Sequence, residues 1–299
     1  MKTSSLALIG PGAIGCTLLG HLAATGRFDL TVAARSALDR IEVESETGVL
    51  RCEPRVCTAP TQVLAPVDWV LAATKTYDVA GALPWLERLY GPETRIALLQ
   101  NGVEHLQRLP ERYCLTKLVP VVVDCPAERQ APGRVRQRGP ARMIVPDDAA
   151  GRAFVELFRE TRIQVDTTND WRTAAWRKLC LNAAGAVSAA TLRPAGIVHF
   201  PPAADLMRAI VREVVLVGRA EGAQLDDAIV DTVIENTRRA PRDAVNSMHA
   251  DRAAGRPMEI DARNGVVVRL GRRHGIPTPC NEALTNLLLT LELPEQAQP

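Results

Sequence analysis

The feature that most constrains the fold is a glycine pattern near the N-terminus. A short apolar stretch at residues 5–9 precedes it, a helical pattern follows over residues 13–25, and a second apolar stretch occupies residues 28–34. A G-x-G-x-x-G pattern in this strand, turn, helix and strand context is typical of a doubly wound parallel sheet that binds a dinucleotide. The six residues of the pattern are Gly10, Pro11, Gly12, Ala13, Ile14 and Gly15.

The three glycines have different physical roles in such a turn. Gly10 permits the tight bend, Gly12 lets the backbone approach a pyrophosphate, and Gly15 lets the helix pack closely against the strand. The first N–H groups of the helix have no partner within the helix and attract phosphate. We therefore predict that the whole segment, residues 10–15, binds a cofactor.

The end of the second apolar stretch indicates which dinucleotide is bound. An acidic residue there would bind a ribose hydroxyl, but the chain has Arg35 and Ser36. Arginine suits a 2′-phosphate because its guanidinium can make paired, charge-assisted hydrogen bonds. The sequence therefore favours NADPH over NADH.

Further buried strands are predicted at residues 68–73 and 95–99. Lys75 follows the first and Asn101 follows the second. The carboxyl ends of parallel strands meet at the edge where ligands bind, so both residues are predicted on the cofactor side. For Asn101, which precedes Gly102, ordinary turn chemistry is an alternative.

The remaining sequence up to residue 167 predicts several further strands and one helix. We expect a hairpin over residues 46–56, turning at Thr47 and Gly48. Residues 115–123 and 133–145 are expected to form the last, antiparallel strands of the main sheet. A helix over residues 147–162 and a closing strand over residues 163–167 complete the domain.

The polar stretch at residues 167–170 marks a change from alternating strands and helices to helices alone. We predict a dinucleotide-binding domain at residues 1–169 and a helical domain for substrate and dimerisation at residues 170–299. The fold class is therefore α/β, a Rossmann-type doubly wound sheet followed by an all-α C-terminal domain. The expected helices cover residues 171–190, 203–222, 226–240, 247–274 and 280–292.

Composition excludes several classes of function. The net charge is only +2 and the basic residues are spread along the chain, which argues against nucleic-acid binding. The seven cysteines contain no C-x-x-C pair and the histidines no metal-binding spacing, so we expect no metal and a reduced, cytoplasmic protein. The chain has no apolar run of about 18 residues, so no membrane partner is expected.

Lysine is rare in this chain, and two lysines are candidates for chemistry. Of 36 basic residues, four are lysines, at positions 2, 75, 117 and 178. A desolvated lysine can release a proton near neutral pH, which arginine cannot. Lys178 lies in an apolar helical run, with Asn182 one turn further on the same face. The alternative is a lysine whose stem packs while its ammonium stays in water.

The landmarks together resemble the ketopantoate reductase (2-dehydropantoate 2-reductase) family over almost the full chain. Beyond the residues already named, they include Gln100-Asn101-Gly102, Trp176-Arg177-Lys178-Leu179, Glu213, Ser247-Met248, Glu259-Ile260-Asp261, Asn264-Gly265 and residues 274–279.

The resemblance implies a mechanism. NADPH would lie on the glycine loop, held also by Arg35 and Lys75. Lys178 would act as the general acid that protonates the ketone oxygen of a small 2-oxo acid as hydride arrives. Glu259 would bind a substrate hydroxyl or orient Lys178, although a residue that compensates the helix dipole is an alternative for it. The polar walls of the substrate site would be Asn101, Asn182 and Ser247. A homodimer is also plausible from the family.

Three positions depart from the family pattern. Ala186, Ala195 and Ala244 stand where relatives often have asparagine, although Asn246 is a possible partial substitute for the last. A site that loses such amides loses discrimination. The alternatives are therefore a ketopantoate reductase, a paralogous NADPH-dependent reductase of another 2-oxo acid or carbonyl, and a nucleotide-binding module without chemistry.

Overall fold

A computed structural model describes residues 4–292 of the 299-residue chain. The chain divides into two compact units, Met1–Trp171 and Arg172–Pro299. The first contains a parallel sheet and the second is helical, which confirms the predicted fold class. Within residues 4–292, no helix combines the length and the apolar character that crossing a membrane requires.

Within residues 4–171, the first unit contains the strands and three α-helices. In chain order the strands are β1 (Ser4–Ile9), β2 (Phe28–Ala33), β3 (Ile41–Ser45), β4 (Gly48–Cys52), β5 (Arg55–Cys57), β6 (Trp69–Ala72), β7 (Arg95–Leu98), β8 (Leu118–Pro120), β9 (Val122–Asp124), β10 (Ala127–Ala131), β11 (Arg134–Gln137), β12 (Arg142–Pro146) and β13 (Gln164–Thr168). The helices are α1 (Ala13–Ala23), α2 (Val79–Leu89) and α3 (Ala149–Phe158).

The main sheet has six strands in the order β5-β2-β1-β6-β7-β8, and all neighbours are parallel. The direction of winding reverses between β1 and β6. Ligands of open parallel sheets bind outside the carboxyl ends of the strands at such a switch point. The loops after Ile9 and Ala72 therefore lie where a dinucleotide is expected.

Strand β1 is buried from both sides because helices cover both faces of the sheet. Leu6 and Leu8 pack in a core that includes α1 and α3, whereas Ala7 and Ile9 pack in a second core that includes α2. Successive side chains of a strand point to opposite faces. A strand buried on both faces therefore reads as a continuous apolar run rather than as an alternating one.

The hairpin prediction places the turn one residue too late and is wrong about the extent. Strands β3 and β4 pair from Ile41 with Cys52 to Ser45 with Gly48. The turn therefore falls at residues 46–47, and Gly48 has a positive φ of +121° that suits glycine. Residues 55–57 do not extend the hairpin. They form β5, which lies parallel to β2 in the main sheet.

The prediction of antiparallel last strands in the main sheet is wrong. The edge strand β8 is parallel to β7. Strand β9 belongs to a separate three-stranded sheet with β12 and β13, and β10 and β11 join the β3–β4 hairpin in a four-stranded sheet. Strand β8 ends at Pro120 and β9 begins at Val122. The apolar run at 115–123 is thereby divided between two sheets.

The second unit is built from helices. They are α4 (Trp171–Ala184, which begins at the last residue of the first unit), α5 (Ala186–Thr191), α6 (Pro201–Ala220), α7 (Ala228–Arg239), α8 (Ser247–Ala253), α9 (Val266–His274) and α10 (Pro279–Leu291). A turn of π-helix, Asp261–Gly265, precedes α9.

Two predicted helices are each divided in the structure. The expected helix over residues 171–190 breaks at Gly185, between α4 and α5. The expected helix over residues 247–274 stops at Ala253 and resumes near residue 260. Gly255, with a φ of +63°, and Pro257 lie in the gap, and both are unfavourable in a helix.

A buried carboxylate connects the helices of the second unit. The Glu213 carboxylate on α6 accepts hydrogen bonds from the backbone N–H of Cys280 at 2.8 Å and of Asn281 at 2.9 Å. It also accepts one from Asn281 Nδ2 at 2.7 Å. Asn281 Oδ1 in turn accepts from Asn264 Nδ2, which also donates to the carbonyl of Ala183 on α4. Glu213 thus caps α10 and anchors a chain of bonds that reaches α4.

We predict that Glu213→Gln lowers the free energy of unfolding by about 2–3 kcal/mol, because buried N–H groups lose a charged acceptor. Urea denaturation followed by circular dichroism measures this. The matched control is Glu235→Gln, which removes an exposed i,i+3 pair with Arg238 and should change stability by less than about 0.5 kcal/mol. Equal effects of the two substitutions would contradict the capping role.

Candidate active site

The glycine loop joins β1 to α1 and is closely packed at both ends. Gly10 has a φ of +90°, and a Cβ there would lie 2.8 Å from the backbone nitrogen of Thr74. A Cβ on Gly15 would lie 2.6 Å from the carbonyl oxygen of Gly10. Real Cβ atoms do not approach other atoms this closely. Both positions therefore require glycine so that α1 can sit against the ends of β1 and β6.

Gly12 is different because the space beside it is open. A Cβ on Gly12 would meet no atom of the described chain within 4 Å. Gly12 is the N-cap of α1, whose first turn carries no acidic side chain. The N–H groups of a first helical turn have no partner within the helix and favour an anion. These features fit a dinucleotide pyrophosphate, which is the role expected of this segment.

Arg35 lies beyond the end of β2 with its side chain 89% exposed. Its Nη2 is 3.6 Å from a carboxylate oxygen of Asp78, which ends a 3₁₀ turn (Thr76–Asp78) after β6. Exposed ion pairs of this kind are weak. The guanidinium is therefore accessible to a phosphate, and Asp78 helps to hold it beside the switch point of the sheet.

Lys75 and Asn101 are both half-buried and follow β6 and β7 at the same edge of the sheet. The loop that carries Asn101 is fixed at two points. Arg108 donates from Nη1 to the carbonyl oxygen of Asn101 at 2.8 Å, and Gln100 donates from Nε2 to Thr74 Oγ1 at 3.0 Å. Asn101 therefore sits on a loop that is attached to the end of β6.

His105 further fixes this loop, a role that no sequence pattern indicated. Its Nε2 lies 2.7 Å from the carbonyl oxygen of Gln100, so Nε2 must carry the hydrogen of that bond. Burial lowers the pKa of His105 to about 3, and the nearby positive charge of Arg108 acts in the same direction. His105 is therefore a neutral donor near pH 7. A lone histidine gives no spacing signal from which this role could have been predicted.

In the second unit, α4 carries Lys178 and Asn182, and both are half-buried. Hydrogen bonds connect α4 to the two other segments that carry predicted site residues. Asn264 Nδ2, in the π turn, donates to the carbonyl of Ala183 at 3.2 Å. Asn246 Nδ2, just before α8, donates to the carbonyl of Gly185 at 2.8 Å. The end of α4, the start of α8 and the π turn are therefore held together.

Ser247 and Glu259 lie on these two segments. Ser247 is exposed at the first position of α8, and Glu259 is 4% exposed immediately before the helix that contains the π turn. Arg263 lies behind Ser247, with its Nη2 2.6 Å from Ser247 Oγ. Burial lowers the pKa of Arg263, while attraction to Glu259 and Asp251 opposes that shift.

No sequence pattern indicated a role for Arg263. The chain contains 32 arginines, so one more in an apolar stretch carries little information. The one feature of the sequence that could have indicated its burial is its position among the apolar residues Ala262, Val266 and Val267, which are all buried.

The suggestion that Asn246 replaces a missing substrate amide does not agree with the structure. Asn246 Oδ1 accepts from the N–H groups of Met248 and His249, both at 3.0 Å, while its Nδ2 binds the carbonyl of Gly185. Both ends of the amide are thus occupied, the oxygen by capping α8 and the nitrogen by a bond to the residue that follows α4. An N-cap asparagine stabilises a helix in this way.

The alanines at the departing positions lie near this cap. Ala186 begins α5 and is fully buried, directly after Gly185. The N–H of Ala195 donates to the carbonyl of Ala244 at 2.8 Å. Two of the three alanines are therefore neighbours in space, so their effects on the site are local.

Comparison with known proteins identifies the family. The domain described as "Ketopantoate reductase PanE/ApbA" matches residues 6–149, and "Ketopantoate reductase PanE/ApbA C terminal" matches residues 170–292. The chain belongs to the ketopantoate reductase family. Members of this family are nicotinamide-dependent reductases, so the chain is an oxidoreductase that acts on CH–OH groups.

Named relatives and a solved structure agree with this assignment. A 2-dehydropantoate 2-reductase of Caulobacter vibrioides is 52% identical and covers 95% of this chain and 98% of its own. One of Mycobacterium tuberculosis is 40% identical and covers 95% and 97%. The crystal structure of a PanE/ApbA family ketopantoate reductase from Ralstonia eutropha superposes with a TM-score of 0.88 at 30% identity and covers 96% and 98%.

Two more distant structures share the fold. A dimeric ketopantoate reductase from Staphylococcus aureus has a TM-score of 0.86 at 24% identity and covers 96% of this chain and 98% of its own. A D-mandelate dehydrogenase with NADH and anilino(oxo)acetate has a TM-score of 0.86 at 20% identity, with the same coverages. The fold thus occurs in proteins that bind NADH.

Two alanine substitutions separate packing from cofactor binding in the glycine loop. Gly15→Ala should destabilise the protein by about 1–3 kcal/mol, because the added methyl meets backbone atoms. Gly12→Ala should change stability by less than about 0.5 kcal/mol, because its methyl enters open space. Gly12→Ala should fold normally but bind the nicotinamide cofactor at least about tenfold more weakly. Fluorescence titration with the reduced cofactor measures this affinity. Undiminished binding by folded Gly12→Ala would exclude close contact between this backbone and the cofactor.

Proposed function

We propose that the protein reduces 2-dehydropantoate (ketopantoate) to pantoate with NADPH, and that Lys178 is the general acid. The observation that carries this proposal is the hydrogen-bonded connection of three segments of the second unit. The first segment, α4, bears Lys178 and Asn182. The second, the start of α8, bears Ser247, and the third, which leads into the π turn, bears Glu259. A proton donor, a carboxylate and neutral hydrogen-bonding groups are what the reduction of a hydroxylated 2-oxo acid needs.

The cofactor is assigned to residues of the first unit. The open space at Gly12 and the first turn of α1 suit the pyrophosphate, with Gly10, Pro11, Ala13, Ile14 and Gly15 forming the rest of the loop. Arg35 suits a 2′-phosphate, and Lys75 and Asn101 lie at the same edge of the sheet. NADPH, when bound, supplies the hydride.

Lys178 contributes the proton. Reduction of the ketone builds negative charge on its oxygen, and an ammonium directed at that oxygen stabilises the charge. Lys178 Nζ then donates a proton to the oxygen, which becomes the new hydroxyl of the product. Glu259 orients the ammonium or accepts a hydrogen bond from the substrate hydroxyl. Asn101, Asn182 and Ser247 provide further polar contacts to the substrate.

Each of the two predicted domains has its own role in this proposal. Residues 1–169 bind the cofactor, and residues 170–299 bind the 2-oxo acid and support a homodimer. Dimerisation draws support from the Staphylococcus aureus protein, which is described as dimeric. All seven cysteines are free, which supports a cytoplasmic location.

A second candidate is a paralogous NADPH-dependent reductase of another 2-oxo acid or carbonyl compound. The observation that favours it is the group of alanines at positions 186, 195 and 244. The Ala195–Ala244 backbone bond brings two of them together, and Asn246 is committed to capping α8. A site with fewer amide donors would accept a less polar substrate.

The decisive experiment measures NADPH oxidation over a panel of 2-oxo acids that includes 2-dehydropantoate. We expect 2-dehydropantoate to have the highest kcat/KM. A higher value for another acid would favour the paralogue. Tight NADPH binding without turnover of any acid would instead indicate a nucleotide-binding module without chemistry.

Lys178→Ala should lower kcat about 100- to 10,000-fold, the range expected when a general acid is removed. NADPH affinity should change little, since Lys178 is not assigned to the cofactor. The matched control is Lys117→Ala, which removes a lysine paired with Glu93 at 3.8 Å and should retain normal kcat. Near-normal kcat in Lys178→Ala would remove the general-acid assignment.

Arg35→Ala should raise KM for NADPH about tenfold or more, because a charged hydrogen bond to the 2′-phosphate is lost. KM for NADH should change less than about twofold, because NADH lacks this phosphate. Arg40→Ala, a neighbouring exposed arginine paired with Glu42, is the control. Equal effects of Arg35→Ala on both cofactors would argue against the assignment to the 2′-phosphate.

A further inference from the structure

Arg263 is a buried cation for which the proposed reaction has no role so far. Of the arginines that the structure describes, it alone is buried, with 2% of its surface exposed. It lies in the π-helix turn Asp261–Gly265, where the N–H of Val266 bonds to the carbonyl of Asp261. Turns of π-helix are rare and occur frequently at functional sites.

The contacts of Arg263 are incomplete for a buried guanidinium. Its Nη2 donates to Ser247 Oγ at 2.6 Å, but its Nε is buried and has no hydrogen-bond partner among residues 4–292. Burying a cation is costly unless its charge is used or compensated. Glu259 and Asp251 are the carboxylates that attract it. Asp251, however, already pairs with Arg256 at 3.0 Å.

We propose that Arg263 selects substrates that carry a carboxylate, and that it does so by positioning and polarising the Ser247 hydroxyl. This inference rests on the proposed function, in which Ser247 binds the 2-oxo acid. Arg263 is accordingly a positioning and specificity residue.

The direction of the hydrogen bond explains why Ser247 would prefer a carboxylate. A guanidinium can only donate, so Ser247 Oγ is the acceptor in their bond. The hydroxyl hydrogen of Ser247 is then available for another acceptor, and the cation behind it makes the hydroxyl a stronger donor. An ionised carboxylate only accepts, and is therefore the matching partner.

The positive charge of Arg263 also favours a substrate carboxylate, as the hydrogen bond through Ser247 does. A carboxylate oxygen bonded to Ser247 Oγ would lie within about 5 Å of Arg263 Nη2, given ordinary hydrogen-bond lengths. At that distance, in a partly buried site, opposite charges attract appreciably. The buried Glu259 would otherwise repel an incoming carboxylate. Arg263 therefore lets a site that contains Glu259 accept a negatively charged substrate.

The competing explanation is that Arg263 only supports the fold by balancing Glu259 and Asp251. In that case its loss would affect every substrate alike. The test therefore compares 2-dehydropantoate with its primary carboxamide, which keeps the ketone and the hydroxyl but lacks the charge. The carboxamide is measured as a substrate or, where turnover is slow, as a competitive inhibitor.

For Arg263→Met we expect kcat/KM for the acid to fall about 10- to 100-fold, mainly through KM, as for the loss of a hydrogen bond to a charged group. For the carboxamide, kcat/KM or the inhibition constant should change less than about threefold, because this neutral compound is not attracted by the charge of Arg263. Equal losses for acid and carboxamide, or no loss for either, would overturn the inference. Arg269→Met is the matched control, since Arg269 is half-exposed and pairs with Asp261 at 3.4 Å. It should leave both constants unchanged.

Two further variants keep the test decisive if Arg263→Met does not fold. Arg263→Lys retains the charge, and Arg263→Gln retains a donor to Ser247 without the charge. The preference for the acid over the carboxamide should persist in Arg263→Lys and decline in Arg263→Gln. The opposite order of the two variants would refute the inference. If the wild-type protein reduces no 2-oxo acid, the proposed function fails together with this inference. If it reduces 2-dehydropantoate but the variants affect acid and carboxamide alike, only this inference fails.

Discussion

The arrangement of the second unit depends on the buried carboxylate of Glu213. Its two oxygens accept three N–H groups at the start of α10. The Asn281 side chain passes this constraint to Asn264, and Asn264 passes it to the backbone of α4. The side chains of Glu213, Asn264 and Asn281 are buried, so breaking these bonds would leave further donors and acceptors unsatisfied. The same bonds that stabilise the helices therefore fix the segments bearing Lys178 and Glu259 relative to each other.

The two units use backbone and side chain differently. In the first, the glycine loop presents mainly backbone, since Gly10 and Gly15 permit close packing and the space beside Gly12 at the start of α1 is open. In the second, the candidate residues Lys178, Glu259 and Arg263 carry ionisable side chains that are buried or half-buried. Charges in such a setting interact more strongly than charges in water. Glu259 and Arg263 therefore act on each other as opposite charges within the second unit.

Much of this organisation could be predicted from the sequence. The glycine loop, the apolar runs of β1, β6 and β7 and the change to helices near residue 170 were sufficient for the fold class. Element boundaries were less predictable. Residues 55–57 look like the end of a hairpin but pair with β2, and the run at 115–123 is divided between two sheets. Short strands carry too little pattern to specify their partners, which are chosen by the packing of the whole sheet.

The sequence by itself determined the reaction class through its resemblance to the ketopantoate reductase family. It also indicated candidate residues, because the glycine spacing and the rare lysines are local features with direct chemical meaning. Only the tertiary structure decided which polar groups remain for a ligand. It showed that Asn246 is consumed by capping α8, that His105 braces the Asn101 loop, and that Arg263 lies buried behind Ser247. The physical reason is that hydrogen-bond capacity and desolvation depend on neighbours that are distant in the chain.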